Sequence, residues 1–167
     1  MPKSDQGVDH HRYTFIPRTL IFLFDSEDRV LLLKGANTKR LWAGLYNGIG
    51  GHIEKGEDIL EAASRELLEE TGILGIDLAY CAQISVDVSD QFGVAIFVFK
   101  GQYLGEKFIN SSEGELHWVS LEMIGSLPLV EDLPELIPRV AAYQPNMPII
   151  VGKYSYGDSG EMDISFH

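Results

Sequence analysis

Residues 50–73 read GGHIEKGEDILEAASRELLEETGI. Asp58 precedes an apolar run with helical spacing, and Glu61 follows three residues later. That pattern is a capping box, in which each side chain satisfies an amide that the helix start leaves without a partner. Gly72 closes the run, and glycine most readily takes the left-handed conformation of a helix stop. The spacing predicts a helix over 59–71. At 100° per residue Glu66, Glu69 and Glu70 share about 100° of arc, while Leu60, Ala63 and Leu67 fall on a neighbouring face suited to packing on a sheet. Like charges at these spacings cost a few tenths of a kcal/mol per pair, and a helix that needs only to be soluble interleaves lysines. The plainest reading of an acidic face is solvation. Three convergent carboxylates on a rigid element are also what a hard divalent cation requires. Three neighbours favour the second reading: Arg65 can pair with and orient a carboxylate, Glu57 adds a fourth carboxylate at the helix entrance, and Gly50-Gly51 supply bare backbone where a carbonyl can ligate or a phosphate can approach.

Outward from this segment the pattern is strand-rich. Residues 13–24 are mostly β-branched or aromatic, 25–28 read as a turn and 29–34 (RVLLLK) as a second strand, together a hairpin. Residues 35–47 read as a loop carrying Trp42 and Tyr46. Beyond the helix, 78–88 and 91–103 are strand-like around a Ser89-Asp90 turn, 115–119 is a further strand, and 121–125 has the length of one helical turn. Residues 131–143 carry Leu133, Leu136, Ile137 and Val140 at helical spacing, with Pro134 tolerable near the start and Pro138 a kink. Residues 148–156 and 162–166 flank a glycine-bearing turn and read as a last hairpin. Strands with two interspersed helices predict an α/β or α+β sandwich.

The whole chain sets the bounds. Its 167 residues fit one domain, over 13–167, after a polar, flexible tail over 1–12. The lone cysteine, Cys81, excludes an internal disulfide framework and a multi-cysteine zinc site. No apolar run reaches the roughly 18 residues of a membrane helix, and the N-terminus lacks the apolar core of a secretory signal, so no membrane partner and a cytoplasmic location are expected. A net charge of −12 argues against indiscriminate binding to a nucleic acid polymer, which needs clustered Lys and Arg. An anionic small molecule remains admissible if a metal ion bridges the like charges. The oligomeric state is open, a homodimer included.

The segment matches the Nudix signature G-x5-E-x7-R-E-U-x-E-E-x-G-U, where U is apolar, at Gly51, Glu57, Arg65, Glu66, Leu67, Glu69, Glu70, Gly72 and Ile73. Seven fixed identities match a given start by chance roughly once in 10⁸. The chain therefore resembles the Nudix hydrolases. The resemblance implies an α/β/α sandwich with a central mixed β-sheet and hydrolysis of a nucleoside diphosphate linked to another moiety. It implies Glu66, Glu69, Glu70 and the Gly50 carbonyl as ligands of Mg²⁺, with Mn²⁺ as the alternative. Glu57 would be an outer helper, and Arg65 an orienting partner. A general base on a later loop would be Glu113, with Glu115 as the rival.

Outside the signature the chain is similar to the purine nucleoside triphosphate branch, the MutT-like 8-oxo-dGTP diphosphatases. This likeness rests on Tyr46-Asn47, Trp118, the Glu131-Asp132 pair and the C-terminal hairpin. It implies that Asn47 binds the base and that Asp132 or Glu131 reads its Watson–Crick edge. Lys34, ending a strand near the signature, is a candidate phosphate contact. Val130 stands where the branch has an aromatic residue before the acidic pair. Asn47 also reads as a turn residue, and Glu131-Asp132 as a cap of the last helix. The alternatives are a pyrophosphatase for ADP-ribose, a nucleotide sugar or a dinucleotide, and a non-catalytic nucleotide-binding regulatory module. The last is disfavoured because every signature carboxylate is present.

Overall fold

The computed structural model describes all residues except 1, 3–5, 8, 10, 37–41, 106 and 158. Part of the expected tail and part of the 35–47 loop thus lie outside the described residues. The elements are β1 (Thr14–Phe24), β2 (Arg29–Gly35), β3 (Tyr46–Asn47), α1 (Ile59–Thr71), β4 (Ala79–Asp87), β5 (Phe92–Gln102), β6 (Gly114–Ser120), a 3₁₀ turn (Leu121–Ser126), α2 (Leu133–Ala142), β7 (Ile150–Tyr156) and β8 (Met162–Phe166). One mixed sheet runs β3-β2-β1-β5-β4-β7-β8, with β6 on the other edge of β2. β1 is parallel to β5 along eleven residue pairs, and β4 is parallel to β7. The remaining pairs are antiparallel.

The side-chain period of two along a strand sorts the core into two layers. Ile21, Leu23, Leu31 and Leu33 pack with Ala63, Leu67 and Phe99 beneath α1. Phe22, Phe24, Val30 and Leu32 pack with Leu133, Leu136, Ile137 and Val140 of α2. The result is the expected α/β/α sandwich. Each fully buried leucine, isoleucine or phenylalanine contributes about 1.5–3 kcal/mol of transfer free energy, so both helices are held by the sheet more than by their own propensity. Leu60 departs from its expectation: it is exposed, and Ala62 is the buried residue of the first turn. The apolar stripe of α1 is therefore narrower and rotated, which leaves Glu70 at the edge of the core.

The local signals at α1 hold in detail. Asp58 accepts from Leu60 N and Glu61 N, Glu61 returns a bond to Asp58 N, and Gly72 caps the end at φ 73° with its amide on Leu68 O. α2 runs through Pro138. Residues 46–47, read as loop, form the short edge strand β3.

β1 joins β2 in strand pairing only at Leu23–Leu31 and Phe24–Val30. Below that point the strands part, and the segment before α1 fills the gap. Ile21 and Ile49 exchange amide bonds (2.7 and 3.2 Å), Thr19 N donates to Gly51 O (2.8 Å) and Ile53 N donates to Pro17 O (3.2 Å). This split seats Gly50-Gly51 against β1 and in front of α1.

Candidate functional site

The carboxylates of α1 meet the glycine loop at close range. Gly50 N donates to Glu70 Oε2 (3.2 Å). A Cβ on Gly51 would run into the Glu66 carboxylate, so the glycine is what lets this side chain lie against the loop. Gly50 itself has φ 151°, and a Cβ there would strike the Thr19 carbonyl. Both glycines of the pair are therefore required by the packing, for different reasons.

Arg65 gathers the rest. Its Nε donates to Glu57 Oε1 (2.6 Å), Nη1 to Glu66 Oε1 (2.9 Å) and Glu69 Oε2 (3.1 Å), and Nη2 to Glu57 Oε2 (3.0 Å) and to the His52 carbonyl (3.0 Å). Those hydrogen bonds, first to Glu57 and then to Glu66, raise the guanidinium's pKa further. The Arg65 hydrogen bond in turn holds the Glu57 carboxyl below its ordinary value. The three helix carboxylates differ in exposure: Glu70 is buried, the Glu66 side chain is 14% exposed and that of Glu69 is 58% exposed.

Among the described residues no three His, Cys, Asp or Glu side chains already converge on one point as a metal cage. The donor chemistry nonetheless fits a hard divalent ion. It is all oxygen, on a helix fixed at both ends, and the Gly50 carbonyl accepts no hydrogen bond among the described residues.

Two adjoining cavities open beside this cluster. The first, of about 220 Å³, has Asn47, Asp132, Val130 and Tyr154 among its walls. The second, of about 320 Å³, has Glu70 and Glu113. Arg18, Trp42, Asn47, Gly48 and Gly50 line both. β3 makes the junction: Tyr46 N donates to Pro128 O (2.8 Å) and Val130 N to Tyr46 O (3.0 Å), which draws the 128–132 segment beside Asn47.

Asn47 and Asp132 thus share one cavity, and Asn47 Oδ1 also accepts from Gly48 N (2.8 Å). Asp132 starts α2 but makes no capping bond with its side chain. It is buried beside the Tyr154 hydroxyl, itself buried without a well-formed hydrogen bond. Burial raises the Asp132 pKa, and Glu131 adds to the rise. Glu131 is exposed and lines neither cavity.

Glu113 lies with Glu70 in the second cavity, whereas Glu115 lines a different hollow, beside Gly35 and Asn110. Lys34 is in that hollow too, its ammonium 5.6 Å from the Tyr46 ring centre. The structure therefore does not bring Lys34 to the Asn47–Glu70 side. Trp118 stacks under Arg29 at 5.7 Å, away from both cavities. The sequence reading missed Arg18 as a site residue. Its signal was present: positions 18, 20, 22 and 24 share a strand face, and an arginine heads the otherwise apolar set Leu20, Phe22, Phe24.

Comparison with known proteins agrees with this arrangement. The NUDIX domain model matches residues 14–140. The oxidized purine nucleoside triphosphate hydrolase of Mus musculus is 32% identical over 107 residues, which cover 64% of this chain and 67% of that protein. The RNA pyrophosphohydrolase of Mesorhizobium japonicum is 42% identical over 117 residues, 64% of this chain and 63% of that protein. Among solved structures, the mutator MutT protein of Bacillus halodurans superposes with a TM-score of 0.76 at 24% identity, covering 91% of this chain and 97% of that one, a likeness of fold. No helix among the described residues is long and apolar enough to cross a membrane. With the signature helix, its glycine loop and the domain match in agreement, the chain belongs to the NUDIX family and is a hydrolase of nucleotide pyrophosphate bonds.

Proposed function

We propose that the protein hydrolyses a purine nucleoside triphosphate, with oxidised purines such as 8-oxo-dGTP in its range, to the monophosphate and pyrophosphate. The observation that carries this reading is the continuity of the two cavities. A base lying between Asn47 and Asp132 places its phosphates toward Glu70 and Glu113 across the shared wall. An amide and a carboxyl suit the donor and acceptor edge of a purine, and a raised Asp132 pKa favours the protonated carboxyl, which donates as well as accepts. The named mouse relative acts on oxidized purine nucleoside triphosphates, which supports the same reading.

Glu66, Glu69 and Glu70 with the Gly50 carbonyl are the proposed holders of Mg²⁺, Mn²⁺ being the substitute. When bound, the ion neutralises phosphate charge and makes a coordinated water more acidic. Glu57 and Arg65 orient the carboxylates. Glu113 is the proposed base, accepting the proton of the attacking water as its oxygen bonds to phosphorus and the bridging P–O bond breaks.

The test is a panel of canonical and oxidised nucleoside triphosphates, ADP-ribose, a nucleotide sugar, a dinucleoside polyphosphate and a 5′-triphosphorylated oligonucleotide, each with millimolar Mg²⁺. Pyrophosphate release greatest from a purine nucleoside triphosphate is expected. Turnover confined to any other member rejects the substrate assignment, and tight nucleotide binding without turnover favours a regulatory module.

A further inference from the structure

Phosphate must enter a protein of net charge −12 beside a cluster of glutamates, so the source of local positive charge is a physical question. Lys34 does not answer it, because its side chain lines the hollow with Glu115. Among the described residues Arg18 is the one cationic side chain lining either cavity, and it lines both. We infer that Arg18 grips the phosphate nearest the nucleoside, at the passage between the base cavity and the glutamates.

Three features prepare it for that role. First, its backbone is fixed. Arg18 pairs with Ile96 of β5 in a continuous strand register and with His52 across the gap in the sheet, one residue from Gly51. Second, its guanidinium makes no ion pair or side-chain hydrogen bond among the described residues, so its forked donors are available to an oxyanion. A half-buried arginine whose carboxylate neighbour Glu66 acts through space and not in a salt bridge is unusual, since taking such a charge from water is costly unless it is paired. Third, its orientation is set by Trp42, whose ring centre lies 5.6 Å from the guanidinium carbon. Trp42 holds φ 59°, a left-handed conformation that a non-glycine residue adopts at a cost and that clusters at ligand clamps. Stacking on an indole limits the rotamers of the guanidinium, so less freedom is lost when it forms a bidentate bond with phosphate. Burial lowers the Arg18 pKa and the nearby Glu66 carboxylate partly offsets the fall, which leaves the group charged across the working range.

This inference rests on the purine nucleotide reading, and the experiment separates the two. Dissociation constants for guanosine and GMP are measured calorimetrically, with millimolar Mg²⁺, on the wild type, Arg18→Ala, Arg18→Lys and Lys34→Ala. The wild type should bind GMP more tightly than guanosine. In Arg18→Ala that preference should fall about ten- to a hundredfold, the range for a charge-assisted hydrogen bond, while guanosine affinity stays the same. Arg18→Lys should restore part of the preference, which a merely structural arginine would not do. Equal preference in wild type and Arg18→Ala, or its loss in Lys34→Ala instead, overturns the Arg18 assignment while the purine reading stands. A wild type that binds neither ligand overturns the purine reading and this inference with it.

Discussion

Replacing Gly51 with alanine tests whether the Glu66 carboxylate has to lie where it does. Gly51 has an ordinary φ, so alanine imposes no backbone strain there. Its Cβ would, however, lie 2.7 Å from Glu66 Cδ. Carbon atoms rest at about 3.5–4.0 Å, so the carboxyl group must retreat by about 1 Å. A misplacement of that size at a reacting centre costs on the order of 10²-fold in rate. The stability cost is smaller, because the atom displaced is the end of a flexible side chain. The displacement breaks the 2.9 Å contact with Arg65, a partly exposed pair worth no more than about 1 kcal/mol, or about 2–4 °C in melting temperature for a domain this size. Gly51→Ala should therefore lose about a hundredfold in kcat at saturating Mg²⁺ and substrate while melting within about 4 °C of the wild type. Gly125→Ala, whose Cβ would meet nothing within 4 Å, should change neither. Gly50→Ala, whose Cβ strikes the Thr19 backbone at φ 151°, should lose stability first. A Gly51→Ala enzyme with kcat within twofold of the wild type would refute the placement of Glu66 at the reaction.

Glu69→Gln and Glu70→Gln should each lower turnover by orders of magnitude with circular dichroism unchanged, since glutamine keeps the shape and the acceptor that Gly50 N uses at Glu70; near-wild-type rates would remove them from the metal. Millimolar Mg²⁺ should raise the melting temperature relative to a chelator, by about 2.7 kcal/mol of linkage at a hundredfold excess over Kd, and a superimposable pair of curves counts against a cation site. For Asp132, burial raises the folded pKa above the unfolded value, so the stabilising contribution of the protonated form is present at low pH and is lost as pH rises from about 4 through that raised value. Asp132→Asn, neutral throughout, should therefore gain stability relative to the wild type as pH increases from 4 to 8. A difference in melting temperature that does not vary with pH would show that Asp132 ionises freely.

What could be read from the sequence follows from the range of the forces involved. The capping box, Gly72 and the i, i+3, i+4 carboxylates act within one helix, and local spacing determines them. The two-layer core was readable because a strand sends alternate residues to opposite faces, and LIFLF at 20–24 fills both faces. β3 escaped because two residues carry no period. Its bonds go to Leu33, Lys34, Pro128 and Val130, and pairing across such sequence separation leaves no local mark. The same distance in sequence explains Lys34: an alternating strand fixes which face a side chain takes, but which neighbour lines that face depends on β6 joining the edge of β2. Leu60 shows the converse limit, where the angle of an apolar stripe was known and the angle of the sheet beneath it was not.

The division of the acidic pair makes the same point about function. Glu131 and Asp132 are equivalent by composition, and both suit the start of a helix. The helix turns one outward and buries the other against Tyr154. A carboxyl that merely capped α2 would accept an amide from the helix's first turn, and Asp132 makes no such capping bond. Its burial therefore costs desolvation that no cap repays, and the cavity it shares with Asn47 is the place where a ligand can. Arg18 follows the same logic with the opposite sign, a half-buried cation without an ion pair among the described residues. A buried carboxyl drawn toward its protonated form and a half-buried cation, at two points along connected cavities, define a polarity. The ligand that satisfies both carries hydrogen-bonding edges at one end and negative charge at the other, which is the chemistry of a nucleotide.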